Sequence, residues 1–433
     1  MARSIAVSLV LVGAAVACDP QPPTGEPATC PANALTVTIG RDSLGPLARG
    51  IGFLHGISDP HQAPQQFPDP TLVAALAPTF WRVSDGWHVQ LAEPFGVSTT
   101  FVLYDGYADY DPSVRPWDDW AAWEAWVAQV VRADSTAGGI VDWWDVWGEP
   151  NFAQDPAQVA ETYKRAHDVI RSIAPAARIV APSVVAWNEA TIAGFLDYAV
   201  AQGLTINAIS WHEFGQPGEL SAHVTRAREL VAARPFLGSL AIHINEYEPY
   251  EQHLIPSRGL AWLDAFERTG VNESHRACWD VVEGADQWST CWNGLDGLLM
   301  KDNVRPQALY WLYHAYARMA GQRLAVDSGA GVVVLAAVEN TSRTLRALVG
   351  RASPSTEPDP VDIAVTIEAP AWAGASLAYT VDGIPYTSAQ LAPQALAQPV
   401  PGPRGRANVN SGTVTLQLRC VGLGEVRVLR LEP

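Results

Sequence analysis

The chain has 433 residues, 48% hydrophobic and 17% charged, with 34 Gly and 33 Pro spread along it. That balance excludes a disordered or fibrous protein and allows one large α/β domain plus a smaller accessory one. Its 28 basic and 45 acidic side chains give a net charge of −17, which disfavours nucleic acid and anionic membranes as partners and favours neutral or cationic ligands.

Met1-Ala2-Arg3 precedes an apolar run over residues 5–17 that ends in Ala15-Val16-Ala17-Cys18. This is the pattern of an export signal over residues 1–18. Small residues before a cysteine resemble a bacterial lipoprotein cleavage site, with Ala15 where leucine is usual. Cys18 is therefore expected either to carry a lipid anchor or to lie beside an ordinary cleavage site. The run is too short to span a bilayer and no other span is evident, so the mature protein is expected to be exported. Residues 19–34, rich in Pro, Thr and Ala, form a linker. Cys30, Cys278, Cys291 and Cys420 then make an even set for an oxidising compartment. Two disulfides are available, Cys278 with Cys291 and Cys30 with Cys420. The cysteine spacing has no zinc pattern, and neither a metal nor a cofactor is expected.

From residue 35 the pattern alternates strand and helix. Strands are predicted at residues 50–55, 80–84, 99–105, 141–147, 178–182, 206–211 and 240–245, with an eighth near residues 287–292. Helical stripes lie between them. One places Trp120, Trp123, Val127 and Val130 on an inner face, and another, capped by Asp155-Pro156, does the same with Val159, Tyr163, Ala166 and Ile170. Near-continuous apolar strands separated by amphipathic helices predict a (β/α)8 barrel over residues 35–328. An open doubly wound sheet is the alternative, but no Gly-rich phosphate loop follows the first strand. After a helix at residues 306–319, short strands at 332–335, 344–349, 363–367, 413–418 and 425–431 predict a C-terminal antiparallel β-sandwich over residues 329–433. The alternating Leu35-Thr36-Val37-Thr38-Ile39 is a candidate extra strand for it.

Reactive groups of such barrels sit at the carboxyl ends of the strands. The polar residues there are His55, Arg82, Asp105, Glu149, His212, Glu213, Glu246 and Glu248. Glu149 follows Trp143-Trp144-Asp145-Val146-Trp147-Gly148, so indole rings are expected to dehydrate it and let it hold a proton near neutrality. Glu246 ends the run Ile242-His243-Ile244-Asn245, with Glu248 its competitor on the same strand face. The fourth and seventh strands face each other across a barrel mouth. One carboxylic acid and one carboxylate flanking a bond is the constellation that cleaves glycosides. Among 17 Trp, the pocket candidates for stacking on sugar are Trp144, Trp288 and Trp292.

The residues from Trp144 to Asn151, together with Ile209-Ser210-Trp211-His212, Ile244-Asn245-Glu246-Tyr247, Trp81-Arg82-Val83 and Lys301-Asp302-Asn303-Val304-Arg305-Pro306, resemble the retaining glycoside hydrolases of clan A. The similarity, spanning residues 45–325, is greatest to family 39, which holds β-xylosidases and α-L-iduronidases. The resemblance implies Glu149 as acid/base, Glu246 as nucleophile, Arg82 orienting Glu246, and His212 beside nucleophile and substrate. It also implies a carbohydrate substrate, for which the residues themselves offer His55, Asp105, Asn151, Asn245, Trp144 and Trp292 as further candidate contacts. One departure matters. The family usually has Asn before the acid/base, contacting the sugar 2-hydroxyl, and here that position is Gly148. Either another donor such as Asn151 or Asn245 compensates, or the substrate differs, or the activity is weak. The rival reading is a surface carbohydrate-binding protein without turnover, and a transglycosylase or lyase on the same barrel is a third.

Overall fold

The structure, a computed structural model, describes residues 34–57, 66–111, 113–352, 360–387 and 392–433. The signal, Cys18, most of the linker and Cys30 lie outside the described residues. The chain enters through β1 (Ala34–Pro46) and then builds a closed barrel of parallel strands. These are β2 (Gly52–Leu54), β3 (Phe80–Val83), β4 (Ser98–Val102), β5 (Trp143–Asp145), β6 (Arg178–Val184), β7 (Ala208–Glu213), β8 (Ala241–Tyr247) and β9 (Glu273–Arg276). Pairing of Phe53 with Arg276 closes the ring.

The intervening helices start where the sequence supplies caps. Side chains of Asp69, Asp85, Asp119 and Asn188 each accept from an amide of the first turn. Asp155 occupies the equivalent position before Pro156–Ile173 but makes no such bond. Helix Pro156–Ile173 buries Val159, Tyr163, Ala166 and Ile170. Helix Trp120–Ala137 buries Trp123, Val127 and Val131, a stripe one step from the predicted one. Trp120 is instead half-exposed, with the Arg165 guanidinium 4.6 Å over its ring.

The eighth barrel strand corrects the prediction. It is Glu-Ser-His-Arg at β9, while residues 287–292 belong to an excursion formed by β10 (Asp280–Glu283), β11 (Asp286–Ser289) and the turn after them. β9 has no apolar residue for a hydropathy pattern to catch, because its polar side chains fill the barrel interior and its closing seam. Asp105 also differs from expectation: β4 ends at Val102, and Asp105 lies in the short helix Leu103–Ala108.

The second layer is a nine-stranded, mostly antiparallel sheet in the order β17-β16-β19-β14-β13-β12-β1-β15-β18. Its C-terminal members are β12 (Gln322–Ser328), β13 (Val332–Glu339), β14 (Thr344–Arg351), β15 (Val361–Glu368), β16 (Ser376–Ile384), β17 (Val400–Asn408), β18 (Thr413–Val421) and β19 (Val426–Glu432). Both wings contribute to one core, Val37, Ile363 and Leu418 from one and Val349, Leu377 and Leu429 from the other. Leu335, Leu348 and Val426 pack instead with the barrel's outer helices. Cys278 and Cys291 form a disulfide, and Cys420 is disulfide-bonded.

Candidate active site

β5 delivers the first carboxylate. Beyond its end the chain turns through Val146, Trp147 and Gly148 to Glu149, whose φ of +56° is a left-handed conformation that a non-glycine residue adopts only under constraint. The constraint is visible. The Glu149 amide donates to the Ser183 carbonyl at 3.1 Å. The buried Tyr163 hydroxyl reaches the carbonyls of Pro182 (2.6 Å) and Trp147 (3.2 Å), tying the ends of β5 and β6 together.

Behind the carboxylates lies a closed polar network. Asp145 Oδ2 accepts from Arg82 Nε (3.1 Å), Arg82 Nη2 (3.0 Å) and Asn245 Nδ2 (2.8 Å), and its Oδ1 accepts from Ser183 Oγ (2.7 Å). Arg82 then donates through Nη1 to Glu246 Oε1 at 3.2 Å. Arg82 and Asp145 are both closed to solvent, so this is a buried, charge-assisted scaffold aimed at Glu246.

His212, at the end of β7 and fully buried, joins the two carboxylates. Its Nδ1 lies 3.2 Å from Glu149 Oε1 and 3.9 Å from Glu246 Oε2. Oxygen atoms of Glu149 and Glu246 and the His212 nitrogen all lie within 4.8 Å of one another. Two carboxylates and an imidazole are also a donor set for a divalent ion, but here the Arg82 guanidinium already bonds to one of the carboxylates.

The proton distribution corrects the expectation for Glu149. Burial raises its proton affinity, but the hydrogen bond and charge of His212, helped by Arg82, outweigh that and leave it below the usual carboxylate value. Its side chain is 48% exposed, so the indoles around it dehydrate it only partly. Glu246 goes the other way: burial, with the charge of Glu149, raises it despite His212 and Arg82. Burial likewise pushes Asp105 up to about 7, against the pull of Arg82. His55 is lowered to about 3 by burial and by Arg82, and so is neutral near pH 7.

These groups line one cavity of about 580 Å³. Its walls are aromatic. Tyr104 stacks on Trp147 at 4.1 Å, and Trp292 stacks on His55 at 5.5 Å with the edge of Tyr110 against it at 5.0 Å. The Cys278–Cys291 disulfide closes the base of the β10–β11 excursion, and Cys278, Trp279, Cys291 and Trp292 all face the cavity.

Of the residues singled out from sequence, Glu149, Glu246, Arg82, His55, Asp105, Asn151 and Trp292 line this cavity, and His212 touches it from behind. Four others do not. Asn245 is buried in the Asp145 network, and its amide points at Asp145 and Ser183. Trp144 packs on Phe101, because alternation along β5 turns Trp143 and Asp145 inward and Trp144 outward. Trp288 is buried with Leu254 and Val281. Glu248 is fully buried in an ion pair with Arg276. Glu213 is likewise committed, accepting from Trp211 Nε1 at 2.6 Å and meeting His223 at 2.8 Å. Sequence reasoning missed Asp145, Ser183, Trp117, Trp279 and Tyr110. Asp145 alone carried a signal, as the one charge between four Val and Trp residues.

No family model and no curated protein matches the sequence. Solved structures do match the fold. A protein from Neocallimastix frontalis is similar at TM-score 0.75 and 16% identity, covering 92% of this chain and 100% of its own. A glucosidase from Croceicoccus marinus is similar at TM-score 0.69 and 14% identity, over 92% of this chain and 99% of its own. A glycoside hydrolase family 39 enzyme from Xanthomonas axonopodis pv. citri is similar at TM-score 0.66 and 15% identity, over 93% of this chain and 98% of its own.

Proposed function

We propose that the protein is a retaining glycoside hydrolase that cleaves an O-glycosidic bond by double displacement. The observation that carries this reading is the approach of Glu149 and Glu246 oxygens to within 4.8 Å across one cavity. A retaining pair stands about 5–5.5 Å apart, whereas an inverting pair stands wider, at about 6.5–9.5 Å, to admit a water. The aromatic walls suit the C–H faces of a sugar, and the Croceicoccus marinus and Xanthomonas axonopodis relatives carry glycosidase names.

The exposure of the two glutamates supports the following roles. Glu246, 17% exposed and held by Arg82, lies at the cavity floor, where its Oε attacks the anomeric carbon. Glu149, nearer the mouth, gives its proton to the leaving oxygen as the C–O bond breaks, which leaves a glycosyl ester on Glu246. Glu149 then takes a proton from water, the water oxygen bonds to the anomeric carbon, and the Glu246 carboxylate is released. Burial raises the proton affinity of Glu246 and His212 lowers that of Glu149, whereas the productive arrangement has the proton on Glu149. His212 Nδ1 lies 3.2 Å from Glu149 and 3.9 Å from Glu246, in reach of both carboxylates.

The expected substrates are neutral plant or microbial oligosaccharides or polysaccharides. Asp105, Asp111, Glu149, Asp155 and Glu246 line the cavity against Arg82 and Arg115, a field that opposes an anionic sugar. Export, with Cys18 as the lipid site, fits the Cys278–Cys291 disulfide, and no helix among the described residues is long and apolar enough to cross a membrane. The test is turnover of a panel of aryl glycosides. Wild type should release the aryl alcohol and E246Q should not, while a denatured wild-type sample should carry a glycosyl ester on Glu246 by mass spectrometry. Normally folded E246Q with undiminished turnover would remove the assignment, and binding without hydrolysis across the panel would favour a carbohydrate-binding protein instead.

A further inference from the structure

The space beside Gly148 is occupied from the other side. A Cβ built at Gly148 would stand 2.9 Å from Arg82 Nη2 and 3.3 and 3.5 Å from the two carboxyl oxygens of Asp105. Arg82 cannot retreat, because Asp145 and Glu246 hold its other faces. A side chain at residue 148 is therefore excluded, and the volume it would fill is taken by a carboxyl group arriving from the helix after β4. Asp105 faces the same cavity as Glu149 and Glu246. Among the described residues its carboxyl oxygens accept no hydrogen bond and form no ion pair.

A sugar whose anomeric carbon sits between Glu149 and Glu246 has two ring atoms next to that carbon, the ring oxygen and C2. Only C2 carries a hydroxyl. We infer that Asp105 is the residue that holds the sugar 2-hydroxyl, in the space that Gly148 leaves open. This rests on the glycosidase reading above and adds the group that contacts the substituent nearest the reacting bond. A carboxyl group pushed up to about 7 by burial can accept from a hydroxyl or donate to it as the pH requires. Positive charge developing on the sugar ring acidifies the 2-hydroxyl, so its bond to a carboxyl oxygen strengthens on the way to the transition state. Gly148 and Asp105 are then one device, since a bulkier residue 148 would displace the carboxyl from its position.

The experiment compares the aryl glycoside that wild type hydrolyses best with its 2-deoxy counterpart, in wild type, D105A and D105N. Using one substrate pair in all three cancels the intrinsic reactivity difference between the two glycosides. D105A should lose about 100-fold or more in kcat/KM on the parent substrate and little on the 2-deoxy substrate, so the preference for the 2-hydroxyl collapses. D105N, whose amide also accepts and donates, should keep most of that preference. If D105A does not fold, D105L, which keeps the branched outline of Asp in a larger side chain without a polar atom, is read in its place. Equal losses on both substrates, or an undiminished preference for the 2-hydroxyl, would overturn the inference while leaving the two-glutamate reading intact. A wild type that hydrolyses no aryl glycoside would overturn both.

Discussion

Arg82 and Asp145 meet through two nitrogen-to-oxygen contacts of 3.0 and 3.1 Å with both side chains closed to solvent. The pair does two things at once: it neutralises two buried charges, and it fixes the guanidinium so that its remaining Nη1 reaches Glu246. Replacing Asp145 with Asn leaves Arg82 buried with its main partner gone. We expect D145N to lose about 3–5 kcal/mol of stability, the usual cost of stranding one member of a buried pair. Urea unfolding measures this, and a loss under about 0.5 kcal/mol, ordinary for a surface substitution, would contradict it. In the folded fraction kcat should drop further than KM changes, because Glu246 loses its anchor rather than its contact with sugar.

His212 sets where the carboxylate pair titrates. Its hydrogen bond and charge lower Glu149, and its charge lowers Glu246. The proposed double displacement needs Glu246 without its proton and Glu149 with its own, so kcat/KM should follow a bell with one limb for each macroscopic ionisation. One of the pair lies below and one above the ordinary carboxylate value, so the two limbs flank that value. H212L removes a lowering influence from both groups, so both limbs should move to higher pH. A profile recorded from acid to alkaline pH that stays in place, or moves down, would contradict this origin of the shifts.

Much of this site is legible in the sequence for a simple reason: Glu149, Glu246, Arg82 and His212 are charged or ionisable residues at the ends of apolar strands, where burial would otherwise forbid them. What escapes notice is what depends on partners. Asp145, Ser183 and Asn245 come from three strands and acquire meaning only when β5, β6 and β8 stand side by side. Asn245 shows the limit well, since it adjoins Glu246 in sequence yet turns away from the cavity. The same limit hid β9, whose residues are polar because the barrel interior there is polar. It also hid β17, where Pro401, Gly402 and Pro403 read as loop but suit a strand at the sheet edge. The proton affinity of Glu149 was misjudged because tryptophans nearby in sequence do not tell whether a carboxylate faces them or the solvent.

The Cys278–Cys291 bond makes a second testable wall. It closes a loop of 13 residues that carries the β10–β11 hairpin, and both Trp279 and Trp292 border the cavity next to its cysteines. The double variant C278S/C291S should lose up to about 3 kcal/mol of stability by the loop-closure argument. Its more telling effect should be a rise in KM with kcat largely kept, because the loosened walls bind sugar but do no chemistry. Reduction of wild type under native conditions should reproduce the same KM change. A KM unaffected by either treatment would mean that the hairpin holds its place without the bond.

At the far end of the barrel, Glu273 lies in the interior, accepting from Ser98 Oγ at 2.8 Å and Thr100 Oγ1 at 3.2 Å, with His243 and His275 each 3.8 Å away. Burial pushes it from 4.5 up to about 7. A carboxyl group raised on folding contributes stability that is fully present below its unfolded value and is lost as pH rises through the folded one. Glu273 should therefore weaken the protein between pH 4.5 and about 7, by up to about 3 kcal/mol at 1.36 kcal/mol per unit of difference. E273Q keeps the shape and a carbonyl acceptor but cannot ionise. Relative to wild type, it should gain stability from pH 5 to pH 8, as read from urea unfolding at both pH values. The other buried carboxyls and the neutral buried histidines are common to both proteins and cancel in the difference. A constant gap between the two proteins across that range would show that Glu273 stays charged, with its proton affinity set by the serine and threonine hydroxyls rather than by burial.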